Sequence, residues 1–391
     1  MSEEDLNISR LHQTFPVKIE RGKGARVWDD SGKEYIDCMG GYGVALVGHC
    51  NSRVVNAIKN QAEKLLVCHM SLYNDTREDF IRKTRAIAPK GLTKVFFSNS
   101  GAEAVEAALK FSRRYTGKPG IISMTGGYHG KTLGALSVTY SEKYRKPFMP
   151  LLEGVKFLPY GRMEIEREVD ESIGTVIIEP IQGETGIILP PEGLLQHIRE
   201  TCTRLGIVLI FDEIQSGLGR TGKMWAGEHW KTVPDIMCLA KGVAGGVPIG
   251  LTLSKPEIIE SLRIGEHSST FGGNPLACAA GSATIDALRE DKLVENAAEA
   301  GAYFKDGLLK LKDKHRIVRE VRGLGLMLAM EMRFDVKNLL LDGIKHGLLM
   351  LYSGKNILRL LPPLLMDRGT ISATLEIIDN LLLAEGKRRN V

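Results

Sequence analysis

In DIMCLAKGVAGGVPIG, residues 235–250, a lysine ends an apolar stretch and small residues follow it. Ile236, Met237, Leu239 and Ala240 read as a short buried strand. Burial there would force the Lys241 ammonium to lose its charge or find a partner. Taken alone, Lys241 is compatible with a lysine that snorkels to the surface. Held in a desolvated pocket, the same amine has a lowered pKa and becomes a nucleophile able to form a Schiff base. Asp212 ends GIVLIFDE, the most apolar strand of the chain. Such a carboxylate either pairs with a nearby Lys or Arg or partners a protonated heterocyclic nitrogen. In SNSGAEAVEAALKFSRRYTG, residues 98–117, Ser100 and Glu103 form a capping-box pattern. Glu103 and Glu106 come early, Lys110, Arg113 and Arg114 late, and Gly117 suits the stop. That pattern describes a well-capped helix. It also describes an anion site, because Gly101 permits close approach and Ser100, Gly101 and Ala102 offer N–H groups at a positive helix end.

These residues need a scaffold that brings them together. VFFS (95–98), GIISMT (120–125), TVIIEP (175–180), IVLIFDE (207–213) and DIMCLAK (235–241) are short apolar runs, with helical patterns such as 193–205 between some of them. Continuous apolar strands separated by helices predict an α/β fold with a mostly parallel sheet covered on both faces. Ligands in such sheets sit beyond the C-terminal strand ends. Those ends carry Ser98 to Ala102, Tyr128, His129, Glu179 to Glu184, Asp212, Gln215 and Lys241. A phosphate cradle, an acid for a ring nitrogen and a buried amine together fit pyridoxal 5'-phosphate (PLP). ARVWDDSGKEYIDC (25–38) reads as a β-hairpin turning at Asp30 to Lys33. After Pro275 a helix from Leu293, strand-like runs at 318–321, 326–332 and 356–362, and a last helix near 372–384 predict a smaller α+β domain. The expected division is 1–48, 49–280 and 281–391, with the first segment packing on the last.

Composition narrows the function classes. The 391 residues exceed one simple core. No apolar run reaches the roughly 18–20 residues of a membrane span. The acidic start MSEEDLNIS lacks the apolar core of a secretory signal, so a cytoplasmic protein is expected. Six cysteines, with no CxxC pair, fit reduced thiols and argue against a zinc site. The formal charge of +5 is mild. No long basic run with interleaved aromatics is present, and the densest basic clusters, at 110–118, 143–146 and 387–389, read as solvated helix ends, so nucleic acid is not expected. GLGRTG (217–222) matches a dinucleotide-binding pattern in letters only, because no strand precedes it and KMWAGEHW after it is a poor helix.

The chain resembles the class III PLP-dependent ω-aminotransferases, nearest the acetylornithine and ornithine aminotransferase branch. The resemblance runs from about Pro16 to Leu383. It is carried by SNSGAEAVEAA, GGYHGKT, IEPIQGETG, the stretch 209–250, STFGGNP and ILRLLPPL, in that order. It implies fold type I, with a seven-stranded sheet in the large domain. It implies that Lys241 is the Schiff-base lysine and proton shuttle. Asp212 would keep the pyridine nitrogen protonated, Gln215 would reach the ring hydroxyl, Tyr128 would stack on the ring, and Ser100, Gly101 and Ala102 would hold the phosphate. His129 is expected among the cofactor contacts. Thr270 would reach the phosphate of a neighbouring subunit, implying a homodimer. Arg359 would bind the α-carboxylate of glutamate, and Glu184 would pair with it when the other substrate occupies the site. Lys131 stands where many relatives have an arginine gripping the distal carboxylate, and lysine lacks the bidentate fork. Tyr42 would assist that grip, with Leu72 and Tyr73 lining the pocket.

The expected reaction is ping-pong transamination of a terminal amine to 2-oxoglutarate, giving a semialdehyde and glutamate in lysine or arginine biosynthesis. The expected donor is lysine or ornithine with its α-amine tethered to a small acidic carrier protein. N-acetylornithine, ornithine or 4-aminobutyrate as a free molecule is the alternative. An aminomutase of the same fold would need no 2-oxoglutarate, which the Glu184 and Arg359 pair disfavours. A non-catalytic PLP-fold protein would not need Lys241 and Asp212.

Overall fold

A computed structural model describes Ser9, Leu11 and residues 14–389. The N-terminal hairpin forms as expected. Strands β1 (Ile19–Lys23), β2 (Arg26–Asp29) and β3 (Glu34–Asp37) pair antiparallel in sequence. The Asp29 carboxylate accepts hydrogen bonds from the backbone of Ser31 and Lys33, which closes the turn.

The central sheet contains β4 (Lys94–Ser98), β5 (Gly120–Met124), β6 (Val155–Leu158), β7 (Ile173–Ile178), β8 (Val208–Asp212), β9 (Ile236–Leu239) and β10 (Gly250–Ser254). Their spatial order is β4-β10-β9-β8-β7-β5-β6. Only β10 runs against the others. Neither β6 nor β10 was legible from periodicity. Polar Lys156 and Thr252 interrupt their apolar character.

The strands are apolar throughout because both faces are covered. Ile177, Ile210, Ile236 and Cys238 pack against Ala104, Ala108 and Phe111, which belong to the helix Gly101–Thr116. Val176, Ile178, Leu209 and Phe211 pack on the other face against Leu195, Ile198 and Cys202 of the helix Leu194–Leu205. Each fully buried Ile, Leu or Phe contributes roughly 1.5–3 kcal/mol relative to exposure. Truncating Phe211 to Ala is expected to cost about 3–5 kcal/mol.

The helix Pro275–Glu290 runs unbroken through residue 280 and leads into Leu293–Lys314. A second four-stranded sheet follows, from β11 (Val318–Leu324), β12 (Met327–Met332), β14 (Leu351–Ser353) and β15 (Ile357–Leu360). Between β12 and β14, the two-residue β13 (Leu348–Leu349) pairs in parallel with β3. The N-terminal hairpin and the C-terminal part of the chain therefore share one sheet. The final helix is Arg368–Arg388. No described helix is long and apolar enough to cross a membrane.

Candidate active site

The six co-directional strands end on the same edge of the sheet, and the C-terminal ends of five of them lead into one cavity of about 430 Å³. Its wall includes Ser100, Gly101, Ala102, Tyr128, His129, Lys131, Glu179, Glu184, Asp212, Gln215 and Lys241. Ten of the thirteen residues singled out for the site are thus brought together. Arg359 stands behind the wall, 1% exposed and bonded to Glu184. Tyr42, 45% exposed, does not line the cavity, but Glu184 and Arg359 both act on its phenol. Thr270, Leu72 and Tyr73 are exposed and do not line the cavity, although Ser269 beside Thr270 accepts a hydrogen bond from the lining residue Asn99 at 3.2 Å.

At the end of β4 the chain turns into the helix Gly101–Thr116. Ser100 Oγ accepts the Glu103 N–H at 3.2 Å. The Glu103 carboxylate reaches back to the Asn99 N–H, one residue before the position a capping box would use. Gly117 closes the helix in the left-handed region at φ 69°. The backbone is tight here: a Cβ on Gly101 would lie 2.8 Å from Ile214 Cδ1.

Asp212 is buried at the end of β8. Its partner is neither Lys nor Arg. Oδ2 stands 2.8 Å from His129 Nδ1, and Oδ1 accepts the Ile214 N–H at 3.1 Å. His129 thus orients the carboxylate, and its other ring nitrogen, Nε2, is buried without a partner among the described residues.

Lys241 follows β9 with φ 46°, in the left-handed region that non-glycine residues rarely adopt. Such strain is held in place by its surroundings. Burial lowers the Lys241 ammonium, while Glu184 and Asp212 push back toward the charged form.

Glu184 meets Arg359 in a two-bond pair, Nη1 to Oε1 at 3.0 Å and Nη2 to Oε2 at 3.2 Å. Burial opposes ionisation of Glu184, but the Arg359 guanidinium outweighs it and holds the carboxyl below its ordinary value. The backbone of this turn is tied from several sides. Arg359 Nη1 also donates to Gly183 O at 3.0 Å, Ser353 Oγ donates to Glu184 O, and Arg322 Nε donates to Gly186 O at 2.9 Å. A swing of Glu184 is therefore a side-chain motion.

Lys131 holds its ammonium 4.6 Å from the centre of the Tyr144 ring, and Tyr144 meets Tyr128 edge-on at 6.1 Å. Tyr144 was not singled out from sequence, because EKYR (142–145) reads only as a charged helix. Glu179 received no role there either. Its carboxyl is buried, and burial pushes it up to about 7, with His129 pulling it down and Asp212 adding to the rise. The GLGRTG segment forms turns. Arg220 within it is fully buried and donates to Leu326 O and Pro362 O, a packing role.

The fit to PLP can be judged on buried polar atoms. Both amide atoms of Gln215 lack a hydrogen-bond partner among the described residues. The amide leans toward Glu184 and favours its ionised form, but without hydrogen-bond geometry. A buried amide left so is costly unless a ligand satisfies it. Helix N–H groups suited to a phosphate, an oriented carboxylate suited to a protonated ring nitrogen, and a desolvated amine complete the donor set. These residues fit PLP. Among the described residues no group of three His, Cys, Asp or Glu could hold a metal ion.

Comparison with known proteins agrees with this chemistry. Residues 8–382 match the family model described as aminotransferase class-III. An acetylornithine aminotransferase of Methanopyrus kandleri is 43% identical over 96% of this chain and 96% of its own. A [LysW]-aminoadipate semialdehyde transaminase of Deinococcus radiodurans is 40% identical over 96% of this chain and 88% of its own. The solved ornithine aminotransferase of Toxoplasma gondii, with partial occupancy of PLP at its active site, has a TM-score of 0.95. It is 32% identical and covers 99% of this chain and 94% of that one.

Proposed function

Because the chain belongs to the class-III aminotransferases and is PLP-dependent, we propose that it moves the terminal amino group of N-acetylornithine to 2-oxoglutarate. The products are N-acetylglutamate semialdehyde and glutamate. The observation that carries this reading is the Glu184–Arg359 pair at the cavity wall. An uncharged or cationic donor end meets a pair that is already neutralised. A substrate with a carboxylate on its reacting carbon, as in glutamate or 2-oxoglutarate, displaces Glu184 and takes its place on the Arg359 fork. One pocket then serves both substrates in turn.

Bound PLP supplies a carbonyl carbon that accepts an amino group and a ring that withdraws electrons. Ser100, Gly101 and Ala102 would hold its phosphate, Tyr128 its ring face and Gln215 its hydroxyl. Asp212, oriented by His129, would hold a proton on the ring nitrogen. Lys241 Nζ moves the proton from the amine-bearing carbon in one half-reaction and returns one in the other. Its lowered pKa makes the neutral amine available for this. Lys131, held against the Tyr144 ring, would face the donor's far end.

A homodimer completes this reading. Val67, Leu72, Tyr73 and Phe271 are 63%, 65%, 98% and 62% exposed, and Arg77 donates to both Leu72 O and Gly273 O, which draws the two exposed segments together for a partner subunit to cover. Phe271 neighbours Thr270, which would reach a phosphate across that interface. Six free cysteines suit a reducing cytoplasm.

A carrier-linked lysine or ornithine is the second reading, supported by the similarity to the Deinococcus radiodurans enzyme. The test is a donor panel of N-acetylornithine, ornithine, 4-aminobutyrate and carrier-linked lysine, each with 2-oxoglutarate. Glutamate formation and the cofactor's visible absorbance are followed. N-acetylornithine should give the highest kcat/KM. A higher value for the carrier-linked donor, falling with salt, would favour the second reading. No glutamate from any donor would refute both.

A further inference from the structure

Three carboxylates line the cavity: Glu179, Glu184 and Asp212. Glu184 has Arg359 and Asp212 has His129. The Glu179 carboxylate, in a residue 7% exposed, is hydrogen-bonded to backbone alone among the described residues. Its Oε2 accepts the Tyr128 N–H at 3.0 Å, and its Oε1 accepts the Gly183 N–H at 3.1 Å. Tyr128 precedes His129, and Gly183 precedes Glu184. One carboxylate therefore ties the segment that presents the aromatic ring to the turn that presents the gate. Gly183 also presses on Gln215, since a Cβ there would stand 2.1 Å from Gln215 Oε1.

We propose that Glu179 is a positioning residue that sets the spacing between the PLP-facing side of the cavity and the Glu184–Arg359 pair. The proposal rests on the reading of that pair as a substrate gate. A carboxylate is needed because the task calls for two acceptors. Glutamine offers one acceptor, and its NH₂ group would face an N–H donor. The charged or titratable groups around Glu179 are His129, Asp212, Lys241, Tyr128 and Tyr160. Changing Glu179 should leave the fold intact, because Ser353, Arg322 and Arg359 anchor the same turn independently.

Glu213 provides the control. It is equally buried, its oxygens accept from Ala226 N, Gly227 N and Ser216 Oγ, and it does not line the cavity. The holoenzyme forms of wild type, Glu179→Gln and Glu213→Gln are titrated, and the pH midpoint of the cofactor's visible band is read in each. The two half-reactions are then run separately by stopped flow, with N-acetylornithine and with 2-oxoglutarate. Glu179→Gln should move the midpoint by about 0.5–1 pH unit. It should slow both half-reactions roughly 10–100-fold and raise the KM for 2-oxoglutarate. Glu213→Gln should leave the midpoint in place. Glu179→Gln values all within twofold of wild type, or an equal midpoint shift in Glu213→Gln, would overturn the proposal. If Glu179→Gln does not retain PLP, Glu179→Asp is read by the same criteria. Failure of the gate reading is seen separately, as an unchanged KM for 2-oxoglutarate in Glu184→Gln.

Discussion

Arg359 grips Glu184 through two nearly parallel hydrogen bonds of 3.0 and 3.2 Å, with the guanidinium buried and the carboxylate still partly open to the cavity. The fixed partner is thus the arginine and the movable one is the glutamate. Replacing Arg359 with Lys keeps the charge but removes the fork. The KM for 2-oxoglutarate should rise roughly 10–100-fold, with a smaller effect on the amine half-reaction. Glu184→Gln should act the other way, lowering the KM for 2-oxoglutarate and weakening the amine donor. Half-reaction kinetics on the two variants check both statements.

Asp212→Asn preserves shape and removes charge. The His129 contact at 2.8 Å can persist, so PLP should still bind. Without a carboxylate beside the ring nitrogen, both half-reactions should slow by roughly 10²-fold or more. A variant with bound PLP and wild-type rates would remove Asp212 from the chemistry.

Glu213 makes a prediction about stability. Burial pushes its carboxyl from 4.5 up to about 7, against the pull of the Gly227 and Ala226 N–H groups. Between these values the folded protein keeps a proton that the unfolded chain releases. The contribution is complete below 4.5 and is lost as pH rises through about 7. Glu213→Gln should flatten the fall of stability over that window by about 1.4 kcal/mol per pH unit. Denaturant unfolding at pH 5, 6 and 7, compared with wild type, reads this slope, and an unchanged slope would contradict it.

Phe271 is 62% exposed beside Thr270. Phe271→Glu should shift the protein toward monomer in light scattering and release PLP more readily. A monomeric variant with full PLP retention and full activity would remove Thr270 from the site.

The sheet was legible where strands carried a continuous apolar run, as in β7, β8 and β9, because burial on both faces leaves no alternation to misread. In β6 and β10, Lys156 and Thr252 break the run, and no such trace is left. Lys241 and Asp212 were found because a charge ending an apolar run is physically costly. Glu179 also ends such a run, but nothing in the letters tells that its carboxylate bridges the N–H four residues on, at Gly183, to the N–H of Tyr128 in a distant segment. Thr270 and Tyr42 came from resemblance, and within one chain neither lines the cavity.

The central claim is a covalent link between PLP and Lys241. Borohydride reduction of the yellow holoenzyme, followed by peptide mapping, tests it directly. The label should fall on the peptide containing Lys241, and Lys241→Ala should bind PLP without taking any label. A label on another lysine, or a purified protein that never acquires the cofactor's visible band with added PLP, would contradict the account.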